Sequence, residues 1–437
     1  MLSARTKRKF AYALGSPTLA VAAAYALRMA LLWLSHRGED LAHPRFETVG
    51  LEAQLVALSL AAGKGFFGPY PRYQALTACL APVYPFLLGV GDRLFHLQSY
   101  GSTVLGQLMN CAFSAATCWP IFGIGKRVFG RGVGLGAAWL WVFLPYAVLL
   151  PLEWTWDQSL SALMLAAIVY ATLRLGESGR LGESASSLSL TGYGLLWALA
   201  ALVNPTLCIL LPFLLGWWMV QRGPLGRASF QSAAQVMVLF VLALLPWTIR
   251  NYYAIDGLVF VKSNFGMEFW LGNNPAVKEI YSADLHPAGN VRELFSLILS
   301  GEPNYNREKQ RQAMAFIEAH PRVFLKNVSA RFADTWAATY DSRVEPWILT
   351  LGLSRADVWF CVGFSIVSFA GMIAALWANW REALPLAMCL LVFPIPYYVT
   401  HTALRYRHPI DPFMTIFAVY AVVRLWSACT RRAAVLP

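Results

Sequence analysis

Charge is scarce in this 437-residue chain. Asp, Glu, Lys and Arg make up 13% of it, about half the share of a soluble domain. Acidic residues are the rarer sign, 23 against 35 basic, giving a net charge of +12. Hydrophobic residues supply 57%, and the mean hydropathy is +0.50. So little polar surface cannot coat a globule in water, which excludes a cytosolic enzyme, a disordered chain and a secreted disulfide scaffold. The seven cysteines form no CxxC pair, and six lie in or beside apolar runs. They read as packing thiols, with neither a metal nor a disulfide expected. No cleavable signal peptide stands out, no internal repeat shows, and no low-complexity segment is longer than Ser184–Ser189.

What the chain does have is long apolar runs, so it reads as an all-α, polytopic membrane protein. Ten candidate spans fall at about 11–34, 102–124, 133–151, 158–174, 190–203, 206–221, 231–249, 357–378, 383–400 and 411–427. The fifth and sixth are short and meet at Asn204-Pro205, where proline removes a backbone donor and forces a break. They could be one interrupted hairpin. Alternating sides then place fifteen basic residues against three acidic ones in the inner segments, with both termini cytoplasmic. Topology accounts for much of the positive charge, and nucleic acid is not needed as a partner.

Three regions follow: residues 1–249 with a long first outer loop at 35–101, an extracytoplasmic region at 250–356, and C-terminal helices at 357–437. The first loop carries Glu39, Asp40, Glu47 and Glu52, then Gly63-Lys-Gly-Phe-Phe-Gly-Pro69. It ends in an amphipathic stretch, Val83–Leu97, expected to lie in the membrane interface. The second loop shows a helical pattern near Glu308–Arg331.

The carboxylates sit at outer helix ends rather than at mid-membrane. Asp157 opens the fourth span, with Glu153 four residues before it and able to share a face if that turn is helical. Asp157 reads equally as a simple N-cap, and Glu52 as a solvated carboxylate. Arg405, Arg407 and His408 gather three potentially cationic groups at the outer mouth of the last span. They suit either lipid headgroups or a specific phosphate, which arginine can grip with two hydrogen bonds. Arg28, toward the outer end of the first span, must find a partner if buried or else snorkel to the interface.

Carboxylates facing a phosphate clamp suggest a reaction on a lipid-linked phosphate. Phosphate is already a good leaving group, so one carboxylate could act as base on an acceptor hydroxyl while cations stabilise the departing charge. The alternatives are a transporter or flippase of a lipid-linked saccharide and an inactive binding protein. The spans offer few paired polar groups for transport.

The chain resembles the GT-C membrane glycosyltransferases, in the bacterial branch related to protein O-mannosyltransferases and the lipid A aminoarabinose transferase. The resemblance rests on Glu52-Ala-x8-Ala-Gly63-Lys-Gly-Phe66, Ala81-Pro-Val-Tyr-Pro85 and Leu202-Val-Asn-Pro205. It continues through Pro246-Trp-Thr-Ile-Arg-Asn251, Ser263-Asn-Phe-Gly-Met-Glu-Phe-Trp-Leu-Gly-Asn-Asn-Pro275 and Arg405-Tyr-Arg-His-Pro409. It implies a GT-C-like bundle that transfers a sugar from a polyprenyl-phosphate donor to a lipid, glycan or protein acceptor on the outer face, usually with inversion. It also implies a bacterial plasma membrane with the site facing the periplasm. Glu52 matches the base of the first outer loop, although Leu51 stands where an acidic pair would need its partner, and Glu47 or Asp40 could substitute. Asp157 matches the second acidic position. Arg405 and Arg407 match the region that meets the donor phosphate, with His408 and Arg28 beside them as further cations. Tyr84, Trp270, Glu268 and Asn273 are the expected substrate contacts, Trp270 by stacking on a sugar. No cofactor is certain; a divalent metal is possible, but no ligand spacing argues for one.

Overall fold

A computed structural model describes residues 15–37, 51–96, 99–153, 155–180, 186–221, 226–277, 280–338 and 354–433. Among these the chain is helical, with a single isolated bridge between Phe67 and Leu76. In chain order the helices are α1 (Pro17–Ser35), α2 (Leu51–Ala61), α3 (Val83–Phe95), α4 (Ser99–Ala116), α5 (Cys118–Phe129), α6 (Arg131–Phe143), α7 (Pro145–Glu153), α8 (Gln158–Arg180), α9 (Ser187–Val203), α10 (Leu211–Gln221) and α11 (Arg227–Ile255). They continue as α12 (Phe265–Gly272), α13 (Val291–Ser300), α14 (Glu302–Ala319), α15 (Pro321–Ala337), α16 (Ser354–Val392), α17 (Ile395–Val399), α18 (Leu404–Arg407) and α19 (Asp411–Ala433).

Six described helices are long and apolar enough to cross a bilayer, and seven if the pair α6–α7, bent by 45°, counts as one. The protein is an integral membrane protein. The other expected spans are helical but differ in length. Segments 190–203 and 206–221 are short and separate at Asn204, as the proline required. There the Asn204 side chain accepts the Thr206 N–H at 3.1 Å and opens a 3-10 turn, Pro205–Leu210. Segments 357–378 and 383–400 lie on one run that breaks at Asn379 (φ −158°, ψ 78°). The run doubles back there. Cys361 near its start and Thr402 just past its end both lie against the α15–α18 region, whereas Arg381 at its middle accepts the Trp217 indole N–H at 2.7 Å.

Among the hydrophobic clusters of the described residues, two are the largest. The larger, in the bundle, buries Trp141, Trp197, Trp218, Phe413 and Phe417. The smaller forms a cap at one end of the bundle, where Tyr70, Tyr73, Phe269, Trp270, Leu294 and Tyr305 pack together. In α3, Tyr84 and Leu88 face inward while Phe86, Leu87, Val90, Leu94 and Phe95 are exposed. That apolar outward face suits an interfacial helix. The helical pattern expected near Glu308–Arg331 is two helices, α14 and α15, divided at His320-Pro321.

Candidate active site between the cap and the bundle

A cavity of about 460 Å³ opens where the cap meets the bundle. Its walls come from α3, the turn before α8, the α9–α10 break, the segment leading into α12, and the 396–409 stretch. Three acids or bases expected from the sequence line it: Asp157, Glu268 and Arg405, together with Tyr84. Lys262 and His401 also line it.

Asp157 sits in the turn just ahead of the spanning part of α8. Its carbonyl accepts the Ser161 N–H at 2.7 Å, and its Oδ2 accepts Ser161 Oγ–H at 3.0 Å. Asn204 Nδ2 donates to Ser161 Oγ at 3.3 Å, so the α9–α10 break helps orient the acid. Burial pushes the Asp157 carboxyl up to about 6, against the opposing pull of Lys262 and Ser161. Glu153 ends α7, and the chain leaves the helix before Asp157, so the two acids do not share one continuous helical turn.

Glu268 behaves oppositely. Burial alone would raise its carboxyl, but the His401 hydrogen bond and charge, with Lys262 and His286, hold it at about 2. Its Oε2 lies 2.7 Å from His401 Nε2, and its Oε1 accepts Asn264 Nδ2–H at 2.7 Å. Two glycines seat the helix that carries it. A Cβ on Gly266 would lie 1.9 Å from the Asn306 carbonyl, and one on Gly272 would lie 1.8 Å from that of Thr400. Any side chain at either position would lever α12 off its neighbours, and Thr400 directly precedes His401.

The remaining expected residues lie elsewhere. Arg407 is buried, donating to Asp411 Oδ1 at 2.9 Å and to the Thr335 carbonyl at 3.2 Å. His408 stacks on Trp141 at 5.3 Å, with Nδ1 3.5 Å from Asp411. Arg28 is fully buried, bonded to Ser114 Oγ and to the carbonyls of Ala147, Ala24 and Trp141 at 3.0–3.3 Å. None of these three lines the cavity. Trp270 is occupied by Lys309, whose Nζ stands 3.4 Å from the ring centroid. Asn273 is buried, donating to the carbonyls of Phe269 and Val399 at 2.8 and 2.9 Å. Glu52 is half-buried in the first turn of α2, beside the lining residue Ala53. Glu47 and Asp40 fall outside the described residues.

Two buried groups missed in the sequence stitch the outer wall together. Glu302 accepts Ala78 N–H at 2.9 Å and Ser263 Oγ–H at 2.8 Å, and also bonds Thr77 and Tyr73. Burial raises its carboxyl in spite of those four donors. Arg331 donates to the carbonyls of Ile280, Tyr398 and Val399 at 3.1–3.2 Å, and also to that of Gly272, tying α15 to α12 and α17.

No protein-family model and no curated protein sequence matches the chain. Solved structures do. The oligosaccharyltransferase of Archaeoglobus fulgidus, in complex with Zn and sulfate, superposes with a TM-score of 0.57 at 12% identity, over 95% of this chain and 50% of that one. The same archaeal enzyme, AglB, with an inhibitory peptide and a dolichol-phosphate gives 0.56 at 14% identity, over 96% and 51%. A form tethered to an acceptor peptide with an NVT sequon gives 0.56 at 14%, over 94% and 50%. The chain therefore shares the fold of these archaeal oligosaccharyltransferases, and it spans about half the length of the enzymes it superposes on. One neighbour holds Zn, but among the described residues no three His, Cys, Asp or Glu side chains come together as a metal site.

Proposed function

We propose that the chain is a glycosyltransferase. It moves a sugar from a polyprenyl-phosphate-linked donor to a lipid, glycan or protein acceptor on the extracytoplasmic face. In this reading it crosses a bacterial plasma membrane ten times with both termini cytoplasmic. The two helices meeting at Asn379 and the short helices α9 and α10 each count as crossings. The fold and the basic residues gathered in alternate connecting segments support that arrangement.

One observation carries the chemistry: a half-buried carboxylate, Asp157, shares a single cavity with the cations Lys262 and Arg405. As base, Asp157 takes the proton of the acceptor hydroxyl. The freed oxygen attacks the anomeric carbon and forms the new glycosidic bond on the opposite face. The bond from that carbon to the phosphate oxygen breaks, and polyprenyl phosphate leaves with the electron pair. Lys262 and Arg405 neutralise the charge gathering on it. A carboxyl held near 6 is matched to this task, because it is ionised at neutral pH yet more basic than an ordinary aspartate. Glu268, tied down by His401 and Asn264, orients rather than abstracts. Glu52 and Glu47 supply a second acid from the first outer loop, and the steps above use no metal.

The test is release of polyprenyl phosphate from a panel of polyprenyl-phosphate sugars by protein in lipid, followed by mass spectrometry. Asp157→Asn should lower release by about 10²–10⁴-fold, the usual worth of a general base. If Glu52→Gln abolishes release while Asp157→Asn does not, the base belongs to the first outer loop. No release from any donor by the unaltered protein overturns the reading in favour of transport or binding.

A further inference from the structure

His401 has a nitrogen with nothing to bond. The side chain lines the cavity and is 7% exposed. Its Nε2 is engaged by Glu268 at 2.7 Å, but its buried Nδ1 has no hydrogen-bond partner. Such orphaned groups are uncommon in folded proteins, and each one costs stability until something pairs with it. The ring cannot turn away freely. Tyr281 stacks on one side with centroids 5.0 Å apart, and Tyr406 lies 5.6 Å away at an angle of 58°. Thr400, the preceding residue, is pinned by Gly272 of α12. The imidazole is thus clamped by a carboxylate at one nitrogen and by aromatic rings across its plane, and the second nitrogen is left over.

The chemistry of the pair narrows the partner. An ionised carboxylate can only accept, so Nε2 must carry the hydrogen that Glu268 receives. In the neutral ring Nδ1 is then a lone pair, and in the charged ring it is a donor. A hydroxyl is the ligand group that satisfies either state, because it both donates and accepts. Location narrows it further. Arg405 lies over the Tyr406 ring at 4.8 Å, and Tyr406 lies against His401, so His401 lines the cavity close to the cation proposed to meet the donor phosphate.

We propose that His401 Nδ1 hydrogen-bonds one hydroxyl of the donor sugar, making His401, held by the Asn264–Glu268 pair, a specificity-determining residue. The inference rests on the donor class proposed above, and binding and turnover separate the two.

The experiment measures equilibrium binding to the full-length protein in nanodiscs. The probes are decaprenyl-phosphate mannose, glucose, galactose and arabinose, each with its single-deoxy analogues, and lipid-phosphate release is read in parallel. For the best-bound sugar, one deoxy position should weaken binding by about five- to a hundredfold, the usual cost of leaving a buried polar group unpaired. His401→Gln keeps an amide able to reach Glu268 but has no atom at Nδ1. It should bind the parent sugar weakly and no longer distinguish that one deoxy analogue. A wild-type protein indifferent to every deletion overturns the proposal, the nitrogen then being paired by water alone. So does a His401→Gln variant that retains the full discrimination. This holds whether or not the variant is less stable, because the wild-type series stands by itself. Donor bound with this signature but never cleaved would leave His401 in place and remove the transferase. Turnover without the signature would do the reverse, and failure to bind any of the donors overturns both.

Discussion

Arg405 and Arg407 stand two residues apart on one helical turn, α18, and meet opposite surroundings. Residues two apart on a helix point roughly 200° from one another. Arg405 therefore faces the cavity, lying over Tyr406, while Arg407 turns into the bundle, closed off by Asp411 and the Thr335 carbonyl. The same side chain in the same motif is a cavity-lining cation at one position and an internal brace two residues on. The division recurs across the molecule. Asp157, Glu268, His401 and Lys262 look into the cavity, whereas Arg28, Arg331, Glu302 and Asp411 are buried among protein partners. Residue type does not decide between the two groups; position does, at the cavity wall for one and between packed helices for the other.

That contrast breaks most sharply at Arg407. Arg407→Ala leaves Asp411 as a buried charge without its partner and should cost about 3–5 kcal/mol of stability. Thermal unfolding in detergent would show it, and an unchanged unfolding temperature would move Arg407 to the ligand side. Arg405→Ala should do the converse. Unfolding should stay near that of the parent while lipid-phosphate release falls by about 10²-fold, the scale of losing one charge-stabilising donor.

A third substitution couples the two groups. Gly272→Ala forces α12 away from the Thr400 carbonyl and separates Glu268 from His401, at a cost of about 1–3 kcal/mol in stability. Donor binding should weaken with it, although residue 272 does not line the cavity. Unimpaired binding would mean that α12 is not what aims the glutamate.

The mildest test is pH. Asp157 must be ionised to take a proton, and its carboxyl stands at about 6. The rate constant kcat/KM should therefore be flat above about 6 and fall about tenfold per unit below it. An acid limb near 4 would instead assign the base to an ordinary exposed carboxylate.

Much of this architecture could be read before any coordinates. Apolar runs gave helices at every expected segment that the described residues cover, and Asn204-Pro205 marked a real break because proline forbids continuity. Asp157 and Arg405 were singled out from charge placed at helix ends and Glu268 from its motif, and all three line the cavity. Lys262 and His401 were not, for a physical reason. Each is a lone ionisable residue in a short connection, and the 2.7 Å bond between His401 and Glu268 crosses 133 positions of sequence. Arg28 and Arg407 looked like ligands because periodicity cannot say which neighbouring helix offers a carbonyl. Trp270 looked like a sugar platform because nothing local announces the Lys309 ammonium already resting on it.

Glu302 carries a last consequence. Its four donors come from residues 73, 77, 78 and 263, and just beyond them Leu80, Ala81, Lys262 and Asn264 form part of the cavity wall. The carboxylate does not line the cavity, yet it sets the spacing of two strips of chain that do. Changes at position 302 would mimic lesions of the chemistry itself, so a genetic screen scored by glycan output would count Glu302 among the catalytic groups.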